Sequence, residues 1–270
     1  MKPTFFRTLL LALLLAVGVT STAHAQLSIG INGVEFGEVP YEGKKSPVQF
    51  STIVGVRTKP DPAFTIGRLS LSTIPTFEIG CNVLSNLDYS PYAGTGVGDF
   101  LDINSWKSTQ VTVNLLHFAA YSKPSKFGVT VGLGIRSNDY RLDPSLSLAK
   151  NDGLIMPYNI AEVTGRSSKK SKFNIASLHL PVELMFGNPR KFAFSVGGYV
   201  DMVMNSHTKV KYYGGKKDKV HNFPVNFIQA GATARLSFSW ISIYASYQPT
   251  QIFKSGRGPE AQQWTIGIGF

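Results

Sequence analysis

The chain has 270 residues, a formal net charge of +11 and a single cysteine, Cys81. One cysteine excludes an internal disulfide, and past the N-terminus no apolar run approaches the twenty or so residues that a membrane-crossing helix requires. The basic balance would suit a nucleic-acid binder. An exported chain built of alternating strands does not meet nucleic acid routinely, so anionic lipid headgroups or surface glycolipid are the expected counter-charge.

Export is written at the start. Lys2 and Arg7 precede an apolar run from Leu9 to Val17, then small residues and Ala23-His24-Ala25 before Gln26. That layout predicts a signal peptide over 1–25, cleaved after Ala25, which lowers the charge to +9 by removing Lys2 and Arg7. No cysteine sits at the cleavage point, where Gln26 follows Ala25, which argues against a lipoprotein. Residues 26–70 are ambiguous. Alternation over 27–36 and 48–58 is interrupted by Lys59-Pro-Asp-Pro62, a chain breaker. The segment reads either as an extra hairpin or as a periplasmic, plug-like piece. The second is favoured because 71–270 already counts to a closed barrel.

From there period-two alternation, the mark of strands, predicts strands at 76–84, 110–119, 127–140, 173–186, 191–205, 225–238, 240–248 and 263–270. Connections alternate between short (122–125, 187–190, the Ser239 corner) and long (88–104, 142–172, 206–222, 249–262), as periplasmic turns and outer loops do in bacterial barrels. One face of each strand is apolar, for example Phe77, Ile79 and Val83; Val129, Val131, Leu133 and Ile135; and Leu178, Leu180, Val182 and Leu184. None of these positions carries a charge, and a Lys or Arg facing lipid at the midplane costs about 2–4 kcal/mol. The opposite faces hold polar groups and many glycines, including Gly128, Gly132, Gly134, Gly197 and Gly231, which make room in a narrow lumen. The last strand, Gln263 to Phe270, alternates Trp264, Ile266, Ile268 and Phe270 with threonine and glycine. A terminal strand must pair on both edges, which closure provides. The fold class is therefore all-β, a transmembrane antiparallel up-and-down barrel of eight strands, or ten if 26–70 contributes two. The even count returns the C-terminus to the periplasmic side.

Several stretches carry a resemblance. Gly132-Leu-Gly-Ile-Arg-Ser-Asn-Asp-Tyr-Arg141, Leu178-His-Leu-Pro-Val-Glu-Leu184, Ser206-His-Thr-Lys-Val-Lys-Tyr212 and Gly256-Arg-Gly-Pro-Glu260 resemble the PorT-like outer-membrane β-barrel proteins of Bacteroidetes in order and spacing, over about 70–270. The resemblance implies a barrel in the Gram-negative outer membrane. Through PorT itself, it also implies a part in the secretion and maturation of proteins exported by the type IX pathway. Most relatives have no assigned activity, and 26–70 lies outside the resemblance.

Two groups of residues are candidate sites. Glu78, Arg136, His179, Glu183, Asp201 and Arg235 face inward. Arg136 and Asp201 should flank the strand bearing His179, with Glu183 and Arg235 nearer the periplasmic end. An eight-stranded barrel has an interior that side chains fill, so the expectation is a salt-bridged polar core, the alternative a gated solute path. The outer loop 206–222 sets Lys209, Lys211, Lys216, Lys217 and Lys219 against one acid, Asp218, and the neighbouring loop adds Arg166, Lys169, Lys170 and Lys172. This is either a solvated charge run, a contact for the phosphates and sugar acids of lipopolysaccharide, or a contact for an acidic exported protein.

No catalytic constellation emerges. Ser206 and His207 are neighbours and point to opposite faces of a strand, and no acid is placed to orient His221 across the loop. His179 and Glu183 lie roughly 13 Å apart along one strand face, too far for a dyad. Neither zinc-type spacing nor a phosphate-cradling loop is present, so no metal or cofactor is expected. The resulting expectation is a non-enzymatic structural or interaction barrel. Its partners are outer-membrane lipid, lipopolysaccharide and, as the resemblance implies, secretion-machinery proteins, but no nucleic acid. A small channel and a membrane-embedded lipid A or peptide hydrolase are the alternatives.

Overall fold

The structure is a computed structural model. It describes residues 73–122, 127–188 and 191–270, together with the backbone of five short strands, Ala25–Gly30, Gly33–Glu38, Val48–Ser51, Gly55–Arg57 and Phe64–Ile66. The predicted signal peptide and the 122–125 turn lie mostly outside the described residues. The role expected for 26–70 is likewise not described beyond its strand backbone.

Eight long strands form the barrel: β1 (Phe77–Asp88), β2 (Thr109–Ser122), β3 (Phe127–Leu142), β4 (Ser168–Asn188), β5 (Phe192–Tyr212), β6 (Ile228–Phe238), β7 (Ile241–Gln248) and β8 (Glu260–Gly269). Each pairs antiparallel with its sequence neighbour from β2 through β8, and β8 pairs back onto β1 (Ile268 opposite Ile79, Trp264 opposite Val83). The β1–β2 seam completes the ring with five residue pairs, Phe77 opposite Val113 to Cys81 opposite Thr109. Eight strands therefore suffice to close the ring.

Every expected strand is present, but several run further outward than predicted. The largest extensions are in β4, which starts at Ser168 instead of 173, and β5, which ends at Tyr212 instead of 205. Apolar alternation ends near Met204, but the chain keeps alternating in another alphabet: Thr208, Val210 and Tyr212 are buried, while Lys209 and Lys211 face out. The stretch expected to be a loop, 206–222, is thus the end of β5 plus a return strand, Lys217–His221, paired back on it. The 142–172 connection likewise holds a hairpin (Leu146–Asn151 with Leu154–Asn159) and a short helix, α1 (Ile160–Thr164), closed by Gly165 in the left-handed conformation.

Outward faces are apolar where the barrel meets lipid. On β5 the outward positions from Phe192 to Met204 are free of charge, a rise of about 30 Å along the axis at roughly 3.3 Å per residue and a tilt near 40°. The periplasmic rim carries an aromatic girdle, with Phe127 on Phe186, Phe192 on Phe238 and Trp240 stacked on Phe270. Higher up, Tyr247 stacks on Trp264 with ring centroids 4.3 Å apart. This exposed belt, wet for no soluble purpose, is what a bilayer covers. The protein is an integral outer-membrane barrel.

Candidate functional site

The lumen is filled in layers. At the periplasmic end the chain before β1 turns inside. Thr73 and Ile74 are buried there, the Ile74 carbonyl lies 2.9 Å from His117 Nδ1, and Asn114 donates to the Pro75 carbonyl. Above them Arg235 bridges Glu78 (2.7 Å) and Glu183 (3.1 Å), and the Ser195 hydroxyl donates to Glu183. Next, Arg136 reaches Asp201 (3.0 Å) and the Thr112 hydroxyl, while His179 Nδ1 lies 2.6 Å from Asp201. Arg136 also donates to His179 Nε2 at 2.8 Å, so the ring proton sits on Nδ1, facing Asp201.

Asn82, Gln110, Asn138, Gln263 and Thr265 form an amide and hydroxyl network above that. The mouth is closed by an apolar core from the outer loops and upper strands, in which Phe173 packs on Tyr140, Phe223 and Phe253.

All six inward residues expected from sequence therefore meet, in two separate clusters. They do so because glycines leave space for aromatic rings. Gly231 stands opposite Tyr199, where an added Cβ would lie 2.6 Å from the ring, and Arg136 stacks on Tyr199 at 4.4 Å. Gly80 and Gly267 make the same room for Tyr244, under Arg235 at 5.2 Å. Alternation alone places a residue in the lumen but not across from its partner, so these aromatic seats, His117 and the Thr73–Ile74 plug were not anticipated.

The second place is the outward face of the strands above the belt. Here the register lines up basic residues in rows. Arg141, Lys172, Lys209 and Lys219 stand side by side on four adjacent strands, and Lys170, Lys211 and Lys217 form the next row outward. Just inward of both rows lie Asp139, Asn174, His207 and His221, with the two histidine rings stacked at 5.2 Å. Lys172 pairs with Asp139, and Asp218 aligns with Val210, on the other face.

Neighbouring charge shows in the titration of these groups. Partial desolvation, then the nearby Lys172, Lys217 and Lys219, hold Lys209 below the usual lysine range, and desolvation with Arg141 and Lys172 does the same to Lys170. His207 is lowered by desolvation, then by Lys219, His221 and Lys172. Of the lysines expected to cluster, Lys209, Lys211, Lys217 and Lys219 join these rows, while Lys216 sits in the turn, its carbonyl accepting from the Tyr212 amide. Arg141 was missed because the strand expected at 127–140 stops one residue short of it, whereas β3 runs on to Leu142.

The Ser206 hydroxyl is engaged with the backbone of Phe223, donating to its carbonyl at 3.2 Å and accepting from its amide at 3.0 Å, and so turns away from both histidines. Among the described residues no group of three or more His, Cys, Asp or Glu is placed to hold a metal.

No protein-family model matches the chain, and no curated protein does. Among solved structures it is similar to the crystal structure of Ail, the attachment invasion locus protein of Yersinia pestis, at 12% identity and a TM-score of 0.29, covering 72% of this chain and 94% of Ail. At that level the likeness says nothing of function, and the barrel stands on its own strand pairing.

Proposed function

We propose that this chain is a non-enzymatic, solute-tight outer-membrane barrel that serves as a structural or interaction protein and, in the manner of the PorT-like proteins it resembles, assists protein secretion. The observation that carries the first part is the occupied lumen. Side chains fill it from Thr73 at the periplasmic end, through the two ion-paired clusters and the amide network, to Phe253 at the mouth. Without a water-filled path, what remains to act is the surface. The engagement of Ser206 with Phe223 supports the non-enzymatic reading, and the resemblance supports the secretion role.

The mature chain, inserted into planar bilayers, is expected to give no discrete conductance. Unitary steps of reproducible size would overturn the solute-tight reading in favour of a channel. The secretion role has its own test, cross-linking in the native outer membrane followed by recovery of the barrel. Secretion components should come with it, and recovery of lipid alone would overturn that role.

A further inference from the structure

Each row of the outer sheet has a property that folding alone does not favour. Like charges directly opposite one another across strands are destabilising, and here four cationic side chains share one row and three the next. The sheet beneath is not a loose loop. Its inner face is buried, with Val210 and Tyr212 packed against Ile160 and with Phe173 and Ile175 in the core of the mouth. The basic side chains are therefore held in a fixed array on a rigid support, with Asp139 the one acid among them. The face they occupy is also the lipid face. Along β5 the outward positions run from Val200 and Met202 through Asn205 and His207 to Lys209 and Lys211 without changing side. Lys209 stands five residues past Met204, roughly 13 Å higher along the axis, level with lipid headgroups and the sugars just above them.

We propose that this outward face of β3, β4, β5 and the return strand Lys217–His221 binds the phosphate and sugar-acid groups of an anionic glycolipid in the outer leaflet. Arg141, Lys172, Lys209 and Lys219 form the row nearer the bilayer, and Lys170, Lys211 and Lys217 the row above. An acidic exported protein would approach from solvent and has no need of continuity with the lipid belt. The glycolipid stands beside the barrel and meets both the belt and the rows at once. This site requires the barrel to sit in the outer membrane and does not depend on a role in secretion.

The test uses the folded mature chain in neutral detergent micelles, titrated with diphosphoryl lipid A and followed by hydrogen exchange of residues 168–172 and 207–221. Lys209→Gln, Lys211→Gln and Lys219→Gln are combined in one variant. A control of equal charge change combines Lys191→Gln, in the periplasmic turn before β5, with Lys254→Gln and Arg257→Gln, in the loop between β7 and β8. At about fivefold per basic residue near an anionic surface, the first variant should bind on the order of 100-fold more weakly, and the control about as the wild type does. Equal loss in both variants would overturn the site. So would protection by dephosphorylated lipid A equal to that by the diphosphoryl form. Inorganic phosphate protecting as well as lipid A at equal concentration would reassign it to free anions, and polyglutamate binding more tightly than lipid A would reassign it to a protein. Melting of the row variant without lipid at or above the wild-type temperature shows that the barrel is intact, and absence of conductance is read separately on the same sample.

Discussion

The lumen and the outer face of this barrel use the same residue types in opposite ways. Inside, Arg136 lies 3.0 Å from Asp201, and Arg235 sits between Glu78 and Glu183. Outside, Arg141, Lys172, Lys209 and Lys219 stand in a row with like charges as neighbours. The lumen side chains are buried, and an unpaired charge there is very costly, so the chain must supply the counter-charge itself. The outer face borders headgroups and water, where a counter-charge can come from another molecule. Where a protein pairs its own charges it is building itself, and where seven cations share a single acid, Asp139 on Lys172, most of the charge is left for something else.

The contrast breaks most visibly at Arg235. Arg235→Met leaves Glu78 and Glu183 facing each other with no cation, and breaking a buried pair in this way costs about 3–5 kcal/mol. Urea unfolding of the barrel in lipid vesicles should show that loss. Adding Glu78→Gln and Glu183→Gln should recover most of it, because neutral amides at the same positions can hydrogen-bond with one another. A loss below about 1 kcal/mol from Arg235→Met alone, the value of exposed pairs, would mean that water reaches this layer and would weaken the solute-tight reading.

Sequence and structure agree where one physical rule acts alone. Alternation with charge-free outward positions needs only the lipid, so the eight strands and the inward fate of Glu78, Arg136, His179, Glu183, Asp201 and Arg235 were all legible. Legibility ended where a second rule took over. Beyond Met204 the outward face turns from apolar to basic while the inward face carries Ser206, Thr208, Val210 and Tyr212, and a charged alternation looks like a loop to a reading tuned to lipid. Which charges meet depends on register, and register depends on details such as the irregularity between Asn114 and Leu116 that turns His117 inward. Arg141 could have been found by continuing the period from Ile135 through Ser137 and Asp139. The seating of Arg136 on Tyr199 over Gly231 could not, since three strands contribute to it.

A smaller effect sharpens the comparison from the other side. If the outer rows are strained by repulsion, removing one cation should stabilise the free protein. Lys209→Gln, in neutral detergent at low salt, is expected to gain roughly 0.2–1 kcal/mol, the scale of a cross-strand charge pair. The gain should fade when salt shortens the screening length to a few ångström, near 1 M. Destabilisation by Lys209→Gln at low salt would mean that its stem packing matters more than its charge, and the rows would lose their claim to be unpaired by design.

The subtlest effect is in pH, and it concerns His207. The groups facing it are Asn174 and Asp139 in its own row, Lys172 and Lys219 in the next, and the stacked His221. Desolvation and these cations hold its pKa below the ordinary histidine value. As pH falls below about 6.5 the unfolded ribbon takes up the proton before the folded one does, so folded stability drops through that window and stops dropping once the folded ring is also protonated. Hydrogen exchange at residues 206–212 and 217–221, corrected for intrinsic rates, should therefore quicken between pH 7 and pH 5, and His207→Asn should reduce that dependence. With diphosphoryl lipid A present the direction should reverse. A bound anion favours the protonated ring, so acid would tighten the ribbon. An acid loosening that persists unchanged with lipid A would place the bound phosphates away from His207 and confine the site to the two rows above it.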